Sequence, residues 1–96
     1  MNRPLTEKLI AALRSGEYKQ IQGHLKDDNG FCALGVACDV YDPNLVLGCT
    51  SPLVVHQAYG WSGELRGTIV NLNDYHGKSF AEIADYLEGK LNAEQA

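Results

Sequence analysis

The most apolar stretch of the chain lies between Phe31 and Tyr41, where Asp39 is the only charged residue. Phe31, Leu34, Cys38 and Tyr41 recur at steps of three and four, which is the spacing of one helix face. A helix that is apolar nearly all round packs inside a core, so we predict a central helix here. A buried strand is the alternative, because Val and Tyr favour strands and Asn29-Gly30 suits a hairpin turn.

Two amphipathic helices are predicted near the ends of the chain. The first spans residues 2–15, ends at Gly16 and places four apolar residues on one face: Leu5, Leu9, Ala12 and Leu13. Before the second helix, Ser79 and Glu82 have the spacing of a capping box. This helix is expected to fray after residue 91 and to bury Phe80, Ile83, Ala84, Leu87 and Leu91.

The segments between these helices carry weaker signals. Residues 17–25 alternate weakly, which predicts a short strand or an extended arm before the turn at residues 27–30. A strand or buried loop is expected at residues 45–47 and a short helix at residues 53–59. Trp61 is expected to anchor a loop at residues 61–67, followed by a strand or a short helix capped by Thr68.

These elements predict an α+β fold that is mostly helical, with three or four helices and a short β-hairpin or small sheet. The chain has 96 residues, with no linker or repeat, so residues 1–96 are expected to form one compact domain. Its first residues are polar, and no apolar run approaches the roughly 20 residues of a membrane helix. We therefore expect a cytoplasmic protein without membrane contact.

The charge and the cysteines restrict the possible functions. A net charge of -4 argues against duplex binding, because neutralising phosphates requires clustered Lys and Arg, and the eight basic residues are scattered. Three cysteines make a poor disulfide framework. Neither C-x-x-C nor H-x-x-x-H spacing occurs, so we predict neither a metal site nor a cofactor.

Cys32 is the one candidate nucleophile. It follows a glycine turn at the predicted start of a helix, a position that lowers the pKa of a thiol. A histidine would act as base, with Asn73 or Asp74 orienting it. Because none of the three histidines lies in a motif, the simpler interpretation is that Cys32 and Cys38 are core residues. The histidines are His24, His56 and His76.

The other candidates are polar side chains suited to binding. Asp39 must find donors in its apolar surroundings, either in a structural bond to the arm or as an anchor for a ligand. Asn73 and Asp74 either shape the turn before the capping box or form a recognition pair. The arm could hold a base or ribose, or it could be an edge strand. The candidate ligand- or partner-binding residues are Arg14, Tyr18, Lys19, Gln20, Gln22, Asp39, Arg66, Asn73 and Asp74.

Three blocks of the sequence, at residues 13–20, 30–39 and 72–85, resemble those of a known family. They read Leu-Arg-Ser-Gly-Glu-Tyr-Lys-Gln, Gly-Phe-Cys-Ala-Leu-Gly-Val-Ala-Cys-Asp and Leu-Asn-Asp-Tyr-His-Gly-Lys-Ser-Phe-Ala-Glu-Ile-Ala-Asp. In their order and spacing they resemble a family of small, mostly uncharacterised proteins of phages, prophages and bacterial genomes. The resemblance spans nearly the whole chain. It implies a phage-type accessory protein and no particular chemistry.

Three functions are compatible with these observations. We favour a small phage-type protein that acts in the host cytoplasm by binding and inhibiting a host protein, such as a CRISPR or other immune component. The alternative is a binder that sequesters a nucleotide signal, with Arg14, Lys19 and Arg66 as phosphate ligands. A thiol-dependent hydrolase using Cys32 is the third. The sequence leaves the oligomeric state open.

Overall fold

The computed structural model describes residues 1–42 and 57–95, which form four helices of nine or more residues and one hairpin. In chain order they are α1 (Arg3–Arg14), β1 (Lys26–Asp27), β2 (Gly30–Phe31), α2 (Ala33–Tyr41), α3 (Gly63–Asp74) and α4 (Phe80–Gln95). The predicted α+β, mostly helical fold is confirmed. The segment predicted at residues 45–47, the start of the helix predicted at residues 53–59, and His56 lie outside the described residues.

Helix α1 begins and ends where the sequence predicts. The N–H of Leu5 donates to the side chain of Asn2 at 3.2 Å, which caps the helix. Gly16 follows the helix with a φ of 78°, in the region that favours glycine. The buried face consists of Thr6, Leu9, Ile10 and Leu13.

The predicted central helix is present, but it begins two residues later than Phe31. Phe31 pairs with Lys26 in the antiparallel hairpin, so the turn signal of Asn29-Gly30 is also realised. All residues from 33 to 38 are buried, as expected for a core helix. Tyr41 is 48% exposed at the helix end, so its assignment to a buried face was wrong.

Helix α3 replaces the loop predicted at residues 61–67. The N–H of Leu65 donates to the Ser62 hydroxyl at 3.0 Å, so Ser62 caps the helix and Thr68 lies inside it. Packing of the helix against α2 and α4 outweighs the low helix propensity of its two glycines. Trp61 does anchor this region: it is 2% exposed, and its ring centroid lies 4.9 Å from that of Tyr59.

Helix α4 starts at the predicted capping box. The N–H of Glu82 donates to the Ser79 hydroxyl at 3.2 Å, and the N–H of Ser79 donates to the Glu82 carboxylate at 3.1 Å. The second bond lowers the pKa of Glu82. The predicted apolar face is buried. The helix continues to Gln95, and Glu94 in its last turn binds the Met1 ammonium at 2.6 Å.

The arm at residues 17–25 runs beside the hairpin. The N–H of Phe31 donates to the carbonyl of Lys19 at 2.8 Å, and Gln20 forms one parallel bridge with Phe31. The end of the arm lies close to the start of α2, where the Leu25 carbonyl accepts the N–H of Cys32 at 3.1 Å. Helix α1 packs on α4 and α2, which places the core between these three helices. None of the described helices is long and apolar enough to cross a membrane.

We predict that Gly35→Ala destabilises the fold by at least about 2 kcal/mol, because overpacking a close contact forces the backbone to shift. A Cβ at Gly35 would stand 1.8 Å from the Leu25 carbonyl oxygen, whereas one at Gly89 in α4 would meet nothing within 4 Å. Gly89→Ala is therefore the matched control, expected to stabilise α4 by about 0.5–1 kcal/mol. Urea unfolding followed by circular dichroism measures both, and equal stability of Gly35→Ala and the parent chain would contradict the contact.

Candidate functional site

Asn73, near the end of α3, joins three parts of the fold through its side chain. Its Oδ1 accepts the Gln20 Nε2–H at 2.8 Å and the N–H of Ala33 at 3.2 Å. Its Nδ2 donates to the Ile21 carbonyl and to Asp74 Oδ1, both at 2.8 Å. The residue is 1% exposed, and these four bonds use its full hydrogen-bonding capacity. Asn73 therefore has no polar atom left for a ligand.

The neighbouring candidates are engaged in the same way. Asp74 Oδ1 also accepts the N–H of Gly23 at 3.1 Å, and Gln20 Nε2 donates a second bond to the Lys78 carbonyl at 2.7 Å. These bonds hold the arm against the segment that joins α3 to α4. The structure thus brings Gln20, Asn73 and Asp74 together. Of the two roles considered for residues 73 and 74, these bonds favour the structural one, because they hold the arm in place.

Asp39 on α2 meets the arm at a second point. The Tyr18 hydroxyl donates to Asp39 Oδ2 at 2.5 Å, which is one of the structural bonds that the sequence analysis considered. Partial burial and the Asp39 carboxylate together raise the pKa of Tyr18 to about 12. The Tyr18 ring also packs edge-on against Phe31, with centroids 5.0 Å apart. The arm is therefore fixed at both ends.

Cys32 lies at the N-terminus of α2, but its surroundings do not activate it. The thiol is 7% exposed, and burial is the main cause that raises its pKa; the negative charge of Asp74 adds to this. Its sulfur accepts the N–H of Gly35 at 3.4 Å, a bond that acts in the opposite direction and is outweighed. A thiol with a raised pKa stays protonated at neutral pH, which is the reverse of what a nucleophile requires.

The basic candidates occupy separate positions. Arg14, at the end of α1, binds Asp85 at 2.6 Å and Glu88 at 3.1 Å on α4, and these carboxylates raise its pKa. Lys19 is exposed on the arm and Arg66 is half-buried in α3. Gln22, the remaining arm candidate, is exposed. In residues 1–42 and 57–95, no group of three or more His, Cys, Asp or Glu residues could hold a metal ion.

Two surface features were not predicted from the sequence. Tyr75, just after α3, is a large aromatic residue that is 80% exposed. A groove of about 510 Å3 lies between the start of α3 and the end of α4, with Trp61, Leu65, Tyr86 and Lys90 in its walls. The loop predicted at residues 61–67 is largely a helix, so no signal in the sequence indicated a groove beside it.

We predict that Asn73→Ala lowers the free energy of unfolding by about 3 kcal/mol, because it leaves buried polar groups of the arm and α2 unpaired. The matched control is Asn71→Ala, an exposed position two residues earlier in α3. Its expected effect is within about 0.5 kcal/mol of the parent chain. Urea unfolding measures both, and hydrogen exchange of the arm amides should accelerate only in Asn73→Ala. Equal effects of the two substitutions would contradict the role of Asn73.

We predict that Cys32 in the folded protein reacts slowly with iodoacetamide at neutral pH, compared with the same residue in urea. Folding raises the pKa of Cys32, so the protonated thiol contributes to the stability of the folded protein. This contribution is present below the ordinary thiol pKa of about 8.5 and is lost as the pH rises through the raised value. Peptide mapping by mass spectrometry reports the rate at Cys32. Fast modification at pH 6 would indicate a thiolate and would contradict the view of Cys32 as a buried, protonated thiol.

The sequence model of one protein family matches residues 1–62, a stretch that includes α1, the arm, the hairpin and α2. The family is described as a domain of unknown function. No curated protein and no solved structure matches the chain. Because the match covers well over half of the 96 residues, the chain belongs to the family Domain of unknown function (DUF8296).

Proposed function

We propose that this protein is a small phage-type accessory protein that binds a host protein and inhibits it, with a component of CRISPR or another immune system as the expected target. The observation that carries the proposal is the exposure of Tyr75, 80% of which faces solvent. The phage and prophage association comes from the resemblance of the three sequence blocks. The binding site is argued from the surroundings of Tyr75.

The backbone on both sides of Tyr75 is held by hydrogen bonds. The N–H groups of Tyr75 and His76 both donate to the Asn71 carbonyl at 2.9 Å, and the N–H of Lys78 donates to the Leu72 carbonyl at 2.9 Å. The preceding Asp74 is bonded to the arm. A tyrosine on such a fixed backbone loses little conformational entropy on binding, and tyrosine is enriched among the residues that dominate protein interfaces.

The chemistry of the other candidates favours binding over catalysis. Asn73 has no free polar atom, Asp39 accepts the hydroxyl of Tyr18, and Cys32 is a buried thiol with a raised pKa. The nucleotide alternative loses one of its phosphate ligands, because two carboxylates already surround Arg14. A net charge of -4 suits a basic surface on the partner, which is the surface that nucleic-acid-handling proteins carry.

We predict that expressing the chain in a host raises the plating efficiency of a phage that the host's immunity restricts, and that Tyr75→Ala lowers this gain at least tenfold. Loss of a tyrosine hot spot of about 2 kcal/mol weakens a complex about thirtyfold. Tyr41→Ala is the matched control, because Tyr41 is also exposed but lies at the end of α2. The assay compares isogenic hosts, each carrying one restriction, CRISPR or other immune system.

Two results would contradict the proposal. If no immune system in the panel is relieved by the parent chain, the inhibitory function is wrong. If Tyr75→Ala and Tyr41→Ala act alike while circular dichroism shows both folded, the surface around Tyr75 is not the binding site.

A further inference from the structure

The groove between α3 and α4 has the size and the mixed walls of a small-molecule site. Its volume of about 510 Å3 lies within the roughly 300–1,000 Å3 range of ligand pockets. Leu65 and Thr68 line it from α3, and Tyr86, Lys90 and Ala93 line it from α4. Tyr75 is not among the lining residues, so the groove is separate from the surface proposed to bind a host protein.

Trp61 supplies an unpaired donor in the wall of this groove. The residue is almost fully buried, and its Nε1 has no hydrogen-bond partner. Buried indole N–H groups usually find an acceptor, because leaving such a donor unpaired costs about 1–3 kcal/mol. The N–H has almost no exposed surface, so an acceptor reaches it only if neighbouring side chains of the groove move aside.

Lys90 supplies the charge. Its Nζ lies 5.6 Å from the centre of the Tyr86 ring, and no carboxylate of the described residues forms an ion pair with it. Glu94, one turn further along α4, is occupied by the Met1 ammonium. Glu64 also lines the groove, so the local charge is close to balanced. Lys90 is the one unpaired cation in the described lining, so the groove can balance one negative charge and not the several charges of a nucleotide.

We propose that this groove binds a small monocarboxylate carried on an apolar body. One carboxylate oxygen would accept the Trp61 Nε1–H, the Lys90 ammonium would balance the charge, and the body of the ligand would pack against Leu65 and Tyr86. Such a ligand would pair with the indole N–H of Trp61, which has no partner in the groove. It would also pair with Lys90, the one cation among the described lining residues that forms no ion pair.

The test uses nuclear magnetic resonance of the 15N-labelled full chain, titrated with benzoate. Trp61 is the only tryptophan, so a single indole N–H signal reports on the site. We expect a saturable shift of this signal with a dissociation constant of about 1 mM, typical of a ligand of this size. Benzyl alcohol, which lacks the charge, and phenyl phosphate, which carries about two charges, are expected to bind at least fivefold more weakly.

Lys90→Gln should raise the dissociation constant of benzoate at least fivefold and leave that of benzyl alcohol unchanged. Lys8→Gln is the matched control, an exposed lysine of α1 that does not line the groove. Trp61→Phe, followed through backbone signals of residues 62–65, should also weaken benzoate binding if the variant folds. A shift that stays linear to high benzoate concentration, or equal affinities for Lys90→Gln and Lys8→Gln, would overturn the proposal.

Discussion

A buried amide side chain needs hydrogen-bond partners on every polar atom, and at Asn73 the arm, α2 and the neighbouring Asp74 supply them. Tyr18 and Leu25 of the arm pack against the core, but both are only partly buried. The position of the arm depends on this amide, on Asp74, and on the pair formed by Tyr18 and Asp39. In turn, the carbonyl of Leu25 in the arm comes so near to α2 that only glycine fits at residue 35.

These internal hydrogen bonds change the role assigned to the candidate binding residues. From the sequence alone, Gln20, Asn73 and Asp74 are equally suited to binding a ligand and to holding the fold together, since both roles use the same hydrogen-bonding groups. The structure satisfies them internally, so a binding site must be built from groups that remain unsatisfied or exposed. Among those groups are the exposed aromatic ring of Tyr75 and the unpaired indole N–H of Trp61. In the sequence, Tyr75 is one residue of the block at 72–85 and Trp61 is a loop anchor, because neither side-chain exposure nor an unpaired donor can be read from a sequence.

The fold was predictable where local signals agree. The capping box at Ser79 and the apolar face behind it define α4, and the same agreement defines α1. Prediction failed at α3, because Gly63 and Gly67 indicate a loop while the cap at Ser62 and the tertiary packing determine a helix. At Phe31 both alternatives were partly correct, since a hairpin strand leads directly into the helix. No local pattern could show that Asn73 lies beside Ala33, forty residues earlier.

The bonds of Asn73 also set an order for assembly on the ribosome. The residues matched by the family, 1–62, leave the ribosome first, yet the acceptor for the Ala33 N–H and a donor to the Ile21 carbonyl lie beyond them. While α3 is still inside the exit tunnel, the Ala33 N–H and the Ile21 carbonyl lack their Asn73 partner. Such long-range closures slow folding, because chain entropy is lost before the contacts form. The bonds from Asn73 to the arm and to α2 therefore form only after the residues matched by the family have been synthesised.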